Sequence, residues 1–99
     1  MSAPSPVFTI DGELSIYRAA ELAAALQAWV AQQSAGTPLD VDLSAVAEMD
    51  SAGLQLLLAL QRSAEAQAMP WRITQASPAV QEVLALTGLT HWLAPAGVH

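Results

Sequence analysis

The stretch DVDLSAVAEMDSAGLQLLLAL, Asp40–Leu60, decides how the chain is read. With Leu39 before it, its opening alternates apolar and acidic residues in the period of a strand. Leu39, Val41 and Leu43 then face one way, and Asp40 and Asp42 point away from the core as solvated residues. SAVAEM reads as a connection. From Asp50-Ser51 the pattern becomes that of a helix running to about Ala66. At about 100° per residue, Ser51, Gln55, Leu58 and Arg62 fall within about 60° of one another. Leu54, Leu57, Leu60 and Ala64 lie opposite, with Leu56 nearby. This helix therefore buries most of its girth and presents one narrow mixed stripe. Asp50 is a good cap residue, worth about 1 kcal/mol. Ser51 reads either as an ordinary first-turn residue or as the group that is acted on, and helix geometry by itself favours the first.

Working outward, VFTI (Val7 to Ile10) is a short β-prone run, and Gly12 marks a bend or bulge after it. SIYRAAELAAALQAWVAQQ reads as a helix with Ser15 as its cap and Leu22, Leu26, Trp29 and Val30 on one stripe. Gly36 and Pro38 stop it. On the other side, WRITQ (Trp71 to Gln75) alternates as a strand entered through Pro70. In SPAVQEVLALTGL, Ser77 caps a helix and Pro78 occupies the first turn, where its missing N–H costs nothing. Gly88 ends it left-handed, so that Leu89 can pack back. His91 to Leu93 reads as a short edge strand. Strands alternating with helices specify an α/β sheet, largely parallel, with right-handed crossovers. With so few helices, mainly one face of the sheet is covered.

The 99 residues allow a single domain, with Met1 to Pro6 and Ala94 to His99 as short flexible tails on a core of about residues 7–93. Hydrophobic residues make up 54% of the chain, enough for a sizeable core and too many for disorder. Nine acids against three arginines, with no lysine, leave a net charge of -6, which repels phosphate backbones and argues against nucleic acid. No stretch approaches the ~20 apolar residues of a membrane span. The chain has no cysteine and opens without a basic and apolar leader, which fits a cytoplasmic address.

Catalytic constellations are weak. No Gly-Lys-Ser/Thr phosphate loop occurs, and no lysine can hold a nucleotide. Asp11 with Glu13, or Asp40, Asp42, Glu48 and Asp50, could imitate the magnesium site of a phosphoacceptor domain, but the lysine of such domains is missing. His91 and His99 are too few and too distant in sequence for a metal cluster. Ser51, His91 and an acid could be drawn as a hydrolase triad, yet the Gly-x-Ser-x-Gly elbow is absent. No cofactor or metal is expected. The tryptophans, Trp29, Trp71 and Trp92, read as core or rim aromatics, and an exposed one would be a partner anchor.

Taken together, DVDLSAVAEMDSAGLQLLLAL, WRITQASPAVQEVLALTGL and the Gly12-Glu13-Leu14 opening resemble the STAS domain, the fold of bacterial anti-sigma factor antagonists. The resemblance covers about Phe8 to Leu93. It implies a mostly parallel, mixed sheet of four to five strands with helices packed mainly on one face. It also implies a binding module without enzymatic activity, in which Ser51 is the phosphoacceptor. Its partner would be a serine kinase that can itself be the anti-sigma factor, or a chemotaxis-type signalling protein, since GELSIYRAAEL looks more like the stand-alone STAS proteins of chemotaxis systems. Asp50, Ser51, Ala52, Gln55, Leu58 and Arg62 would form the partner surface. A STAS subunit of a lipid-transport ATPase, with a similar Asp-Ser/Thr-Ala-Gly turn, is the alternative within the family. A hydrolase or magnesium-dependent phosphoacceptor is the alternative outside it. Phosphorylation adds roughly -1.5 to -2 charges. The free N–H groups and dipole of the helix start are expected to ease that charge in the free domain, while a closed interface excludes it.

Overall fold

The computed structural model describes residues 7–93. The order is β1 (Val7–Leu14), α1 (Ala19–Ala31), β2 (Leu39–Met49), α2 (Ser51–Ala66), β3 (Trp71–Ala76) and α3 (Pro78–Thr87). A one-turn 3₁₀ helix, Thr90–Trp92, follows. The sheet has the order β1-β2-β3, and both pairings are parallel. Among the described residues the α/β class and the mostly parallel sheet hold, with three parallel strands, slightly fewer than the four to five expected. His91 to Leu93 accounts for part of the difference. His91 and Trp92 wind into the 3₁₀ turn, and only Leu93 bridges to Ile73, so no edge strand forms. The expected tails, residues 1–6 and 94–99, lie outside the described residues.

Parallel strands stepping in one direction place their right-handed crossover helices on one face. Accordingly α1 and α2 pack against each other. The core beneath them takes Ile10 and Leu14 from β1, Leu39, Val41 and Leu43 from β2, and Ile73 from β3. Leu22, Leu26 and Val30 of α1, and Leu56, Leu57, Leu60 and Ala64 of α2, close it from above. Trp29 is only half-buried, with its ring 5.3 Å from that of Phe8. Trp71 and Trp92 meet edge to face at 5.0 Å, so none of the three tryptophans is an exposed anchor.

Three local expectations change. β1 does not stop at Ile10. A register irregularity flanking Gly12 absorbs the break, and the strand continues to Leu14. SAVAEM is strand, not connection, because its partner is this extended part of β1: Ala45, Val46, Glu48 and Met49 stand opposite Asp11, Gly12, Glu13 and Leu14. β3 ends at Ala76, opposite Leu43, where the Ser77 N–H donates to the Leu43 carbonyl. From there α3 packs chiefly along β2, with Val80 and Leu84 buried. Third, Asp40 points away from the helices as expected but is not solvated. It is 6% exposed and accepts a hydrogen bond from Arg72 Nε at 3.1 Å. Arg72 stands directly across the β2–β3 pair and folds over the carboxylate.

Candidate functional site

The site is built where β1, β2 and the start of α2 converge. Leu14 and Met49 end their strands side by side, and the Asp50 N–H donates to the Leu14 carbonyl at 3.2 Å. Asp50 is extended backbone and turns the chain into α2. Its Oδ1 accepts from the N–H groups of Ala52 (2.9 Å) and Gly53 (3.1 Å). Oδ2 accepts from the Ile16 N–H at 3.1 Å, across 34 positions of sequence. One carboxylate therefore caps α2 and ties down the turn between β1 and α1. The Ile16 N–H, followed by that of Gly53, holds this carboxyl below the usual carboxylate range by stabilising its charged form.

Gly53 explains how closely these parts approach. It is buried, and a Cβ there would run into the Leu14 carbonyl oxygen and side chain. The backbone of α2 rests directly on the end of β1, and only glycine permits that.

Ser51 follows the cap, at the first position of α2, and is exposed. Of the other residues on the expected partner surface, Ala52 is half-buried, Gln55 and Arg62 are exposed, and Leu58 is half-buried against the core. The stripe is real as a surface, but Leu58 belongs partly to the fold. A Leu58→Asp change would therefore disturb packing. The expectation that the helix start offers free N–H groups to an anion is narrowed, because Asp50 already holds those of Ala52 and Gly53.

Two residues of the site escaped the sequence reading. The sequence pattern runs Ile16 and Tyr17 into a helix capped at Ser15, whereas α1 begins at Ala19. The Ser15 side chain accepts from the Tyr17 N–H at 3.3 Å, and the Ser15 carbonyl from the Arg18 N–H at 3.0 Å. Ser15 thus closes a turn instead of capping the helix. Ile16 is left 66% exposed and Tyr17 87% exposed. The available signal was periodicity: neither residue falls on the Leu22, Leu26, Val30 stripe.

A groove of about 220 Å³ between α1 and α2 is lined by residues such as Leu26, Gln27, Val30, Leu60 and Ser63, with no ionisable side chain. Among the described residues no group of His, Asp and Glu could hold a metal ion. No helix among them is long and apolar enough to cross a membrane.

The family model described as "Mlab, STAS domain" matches residues 1–95. The chain belongs to the STAS family. Solved structures similar to this STAS domain include the anti-sigma factor antagonist SpoIIAA in its unphosphorylated form. That chain is 27% identical, with a TM-score of 0.75, over 91% of this chain and 77% of the other. An anti-sigma factor antagonist from Mycobacterium paratuberculosis is 30% identical, with a TM-score of 0.76, over 92% and 77%. The STAS domain of a SulP transporter from Vibrio cholerae is similar in fold, at 20% identity and a TM-score of 0.66 over 92% and 73%. Among curated proteins none matches this STAS domain.

Proposed function

We propose that this STAS domain is a protein-binding switch of the anti-sigma factor antagonist kind. Its partner, a serine kinase acting as anti-sigma factor or a chemotaxis-type signalling protein, closes over the start of α2, and phosphorylation of Ser51 releases it. The single observation that carries this reading is the exposed Ser51 hydroxyl directly after a cap whose carboxylate is fully engaged. The likeness to two anti-sigma factor antagonists supports the class of partner.

The physics gives the sign. A neutral hydroxyl is covered by a partner at little cost. A phosphate there stands beside the Asp50 carboxylate, which already holds the N–H groups of Ala52 and Gly53. Burying such an unpaired ion costs several kcal/mol, and each 1.4 kcal/mol is tenfold in affinity. Release needs no refolding. The domain is a substrate of the kinase, since its chain has neither a phosphate-binding loop nor a lysine.

The Asp50-Ser51-Ala52-Gly53 turn also fits a second reading, a subunit that docks constitutively on a lipid-transport ATPase by the same surface. Purification from the native cell with phosphosite mass spectrometry separates the two. Phosphate on Ser51, with a kinase or signalling protein co-purifying only with the unmodified form, is the expected result. An ATPase co-purifying with a domain whose Ser51 is never modified would replace the switch by the constitutive subunit.

A further inference from the structure

Ile16 and Tyr17 form an exposed apolar pair held rigidly beside the α2 start. Five hydrogen bonds fix their turn: Ile16 N–H to Asp50, Tyr17 N–H to the Ser15 hydroxyl, Arg18 N–H to the Ser15 carbonyl, and the Arg18 guanidinium to the carbonyls of Asp11 and Glu13. Ser15 itself is buried. The turn is thus anchored from below while it lifts two large side chains into water. Leu86 on α3 is 79% exposed too, but it stands alone, and scattered apolar residues are ordinary on a surface. An ordered apolar pair contiguous with a candidate interface is not.

The surroundings are acidic. Glu13 and Glu48 stand opposite each other in the β1–β2 register. Asp11 and Glu21 are exposed, and the guanidinium among them, Arg18, is already shared between these two at 3.9 and 3.3 Å.

We propose that Tyr17, with Ile16, is the apolar anchor of the interface formed over Ser51, and that its occupant is a folded protein whose apolar cleft is bordered by basic side chains. This rests on the protein-binding reading above and adds the anchor and the partner's chemistry. The acidic rim decides among occupants. A two-fold contact with a second copy would set the same acids against each other. An anionic lipid surface would repel them. A basic-rimmed cleft is attracted by them and speeds encounter. Tyrosine supplies large contact area with few rotatable bonds, and the fixed turn lowers the ordering cost further. The rim charges steer, whereas a phosphate on Ser51 would meet the part of the contact shaped for apolar side chains.

The test replaces Tyr17, Gln55 or Leu86 in the full chain with the photo-crosslinking residue p-benzoylphenylalanine in the native cell. The protein captured from positions 17 and 55 is purified and titrated with wild type, Tyr17→Ala, Ile16→Ala, Leu86→Ala and Ser51→Glu, each checked by thermal melt. We expect one protein captured from 17 and 55 and not from 86, and at least tenfold weaker binding for Tyr17→Ala with Leu86→Ala unchanged. Affinity should fall with salt, and Glu48→Gln should flatten that dependence. Full affinity of Tyr17→Ala and Ile16→Ala, with Ser51→Glu still abolishing binding, overturns the anchor and spares the switch. Full affinity of Ser51→Glu overturns the switch itself. Capture from 55 but not 17, or from neither, counts against the anchor. So does a dimer of the free domain that Tyr17→Ala dissolves, which would give the patch to a second copy.

Discussion

α2 and α3 each begin on a polar residue that caps them, Asp50 and Ser77, and the two starts are used differently. Ser77 is buried and accepts from the Val80 N–H three residues on. Its influence stays within the first turn of α3, and Pro78 after it has no group to offer. Asp50 divides its two oxygens between its own helix and a turn 34 residues away, and the residue after it is an exposed hydroxyl. One cap serves only its helix and sits inside the fold, whereas the other joins two segments at the surface, where the partner is proposed to bind.

The largest expected effect concerns the close approach that α2 requires and α3 does not. Gly53→Ala should cost about 3 kcal/mol, the upper end of overpacking, because the obstacle is the Leu14 backbone and not a flexible side chain. A denaturant melt within about 1 kcal/mol of wild type would show that α2 can lift off β1 freely.

Next come the caps themselves. Ser77→Ala should cost about 1 kcal/mol, and Asp50→Ala should cost more than Ser77→Ala, because it also releases the Ile16 N–H. Only the second should speed hydrogen exchange at Ile16, since only Asp50 holds that amide. Equal exchange in both variants would reduce Asp50 to a local cap like Ser77.

The two caps also differ in pH. The folded-state pKa of Asp50 is lowered, with the Ile16 N–H as the largest cause. Its contribution to stability is therefore present above the unfolded carboxylate value of about 4 and is lost as pH falls through the lower folded value. The stability gap between wild type and Asp50→Asn should be constant near neutrality and shrink in acid. No such trend should appear for Ser77→Ala.

The smallest effect compares the helix ends. Gly88 ends α3 in the left-handed region at φ 73°, with the Leu89 N–H returning to the Leu84 carbonyl. Ala68 ends α2 the same way at φ 54°, with the Met69 N–H returning to Ala64. A side chain is strained there, so Ala68→Gly should raise stability by about 0.5 kcal/mol or more in the same melts. A loss would mean that Ala68 makes a contact worth more than its strain.

How much of this was legible follows from particular residues. Leu22, Leu26 and Val30, and the mostly leucine face of α2, carry helical periodicity and were readable because burial imposes it. The Ser77-Pro78 start and Gly88 end of α3 were readable because their chemistry is local. β2 beyond Leu43 was not, since Ser44, Ala45 and Ala47 lack strand propensity, and the segment is held by the pairing of Ala45, Val46, Glu48 and Met49 with β1. Asp40 looked solvated because alternation gives direction but not what Arg72 does across the sheet. At the site, the acid and hydroxyl at positions 50 and 51 were visible. Ile16 and Tyr17 were hidden because their place depends on one hydrogen bond between distant segments.

The central claim is tested most directly by titrating the purified partner with the domain carrying phosphate on Ser51 and with the same domain unmodified, amide NMR confirming the same fold in both. Binding at least tenfold weaker for the phosphorylated form is the predicted result. Equal or tighter binding of that form would contradict the account.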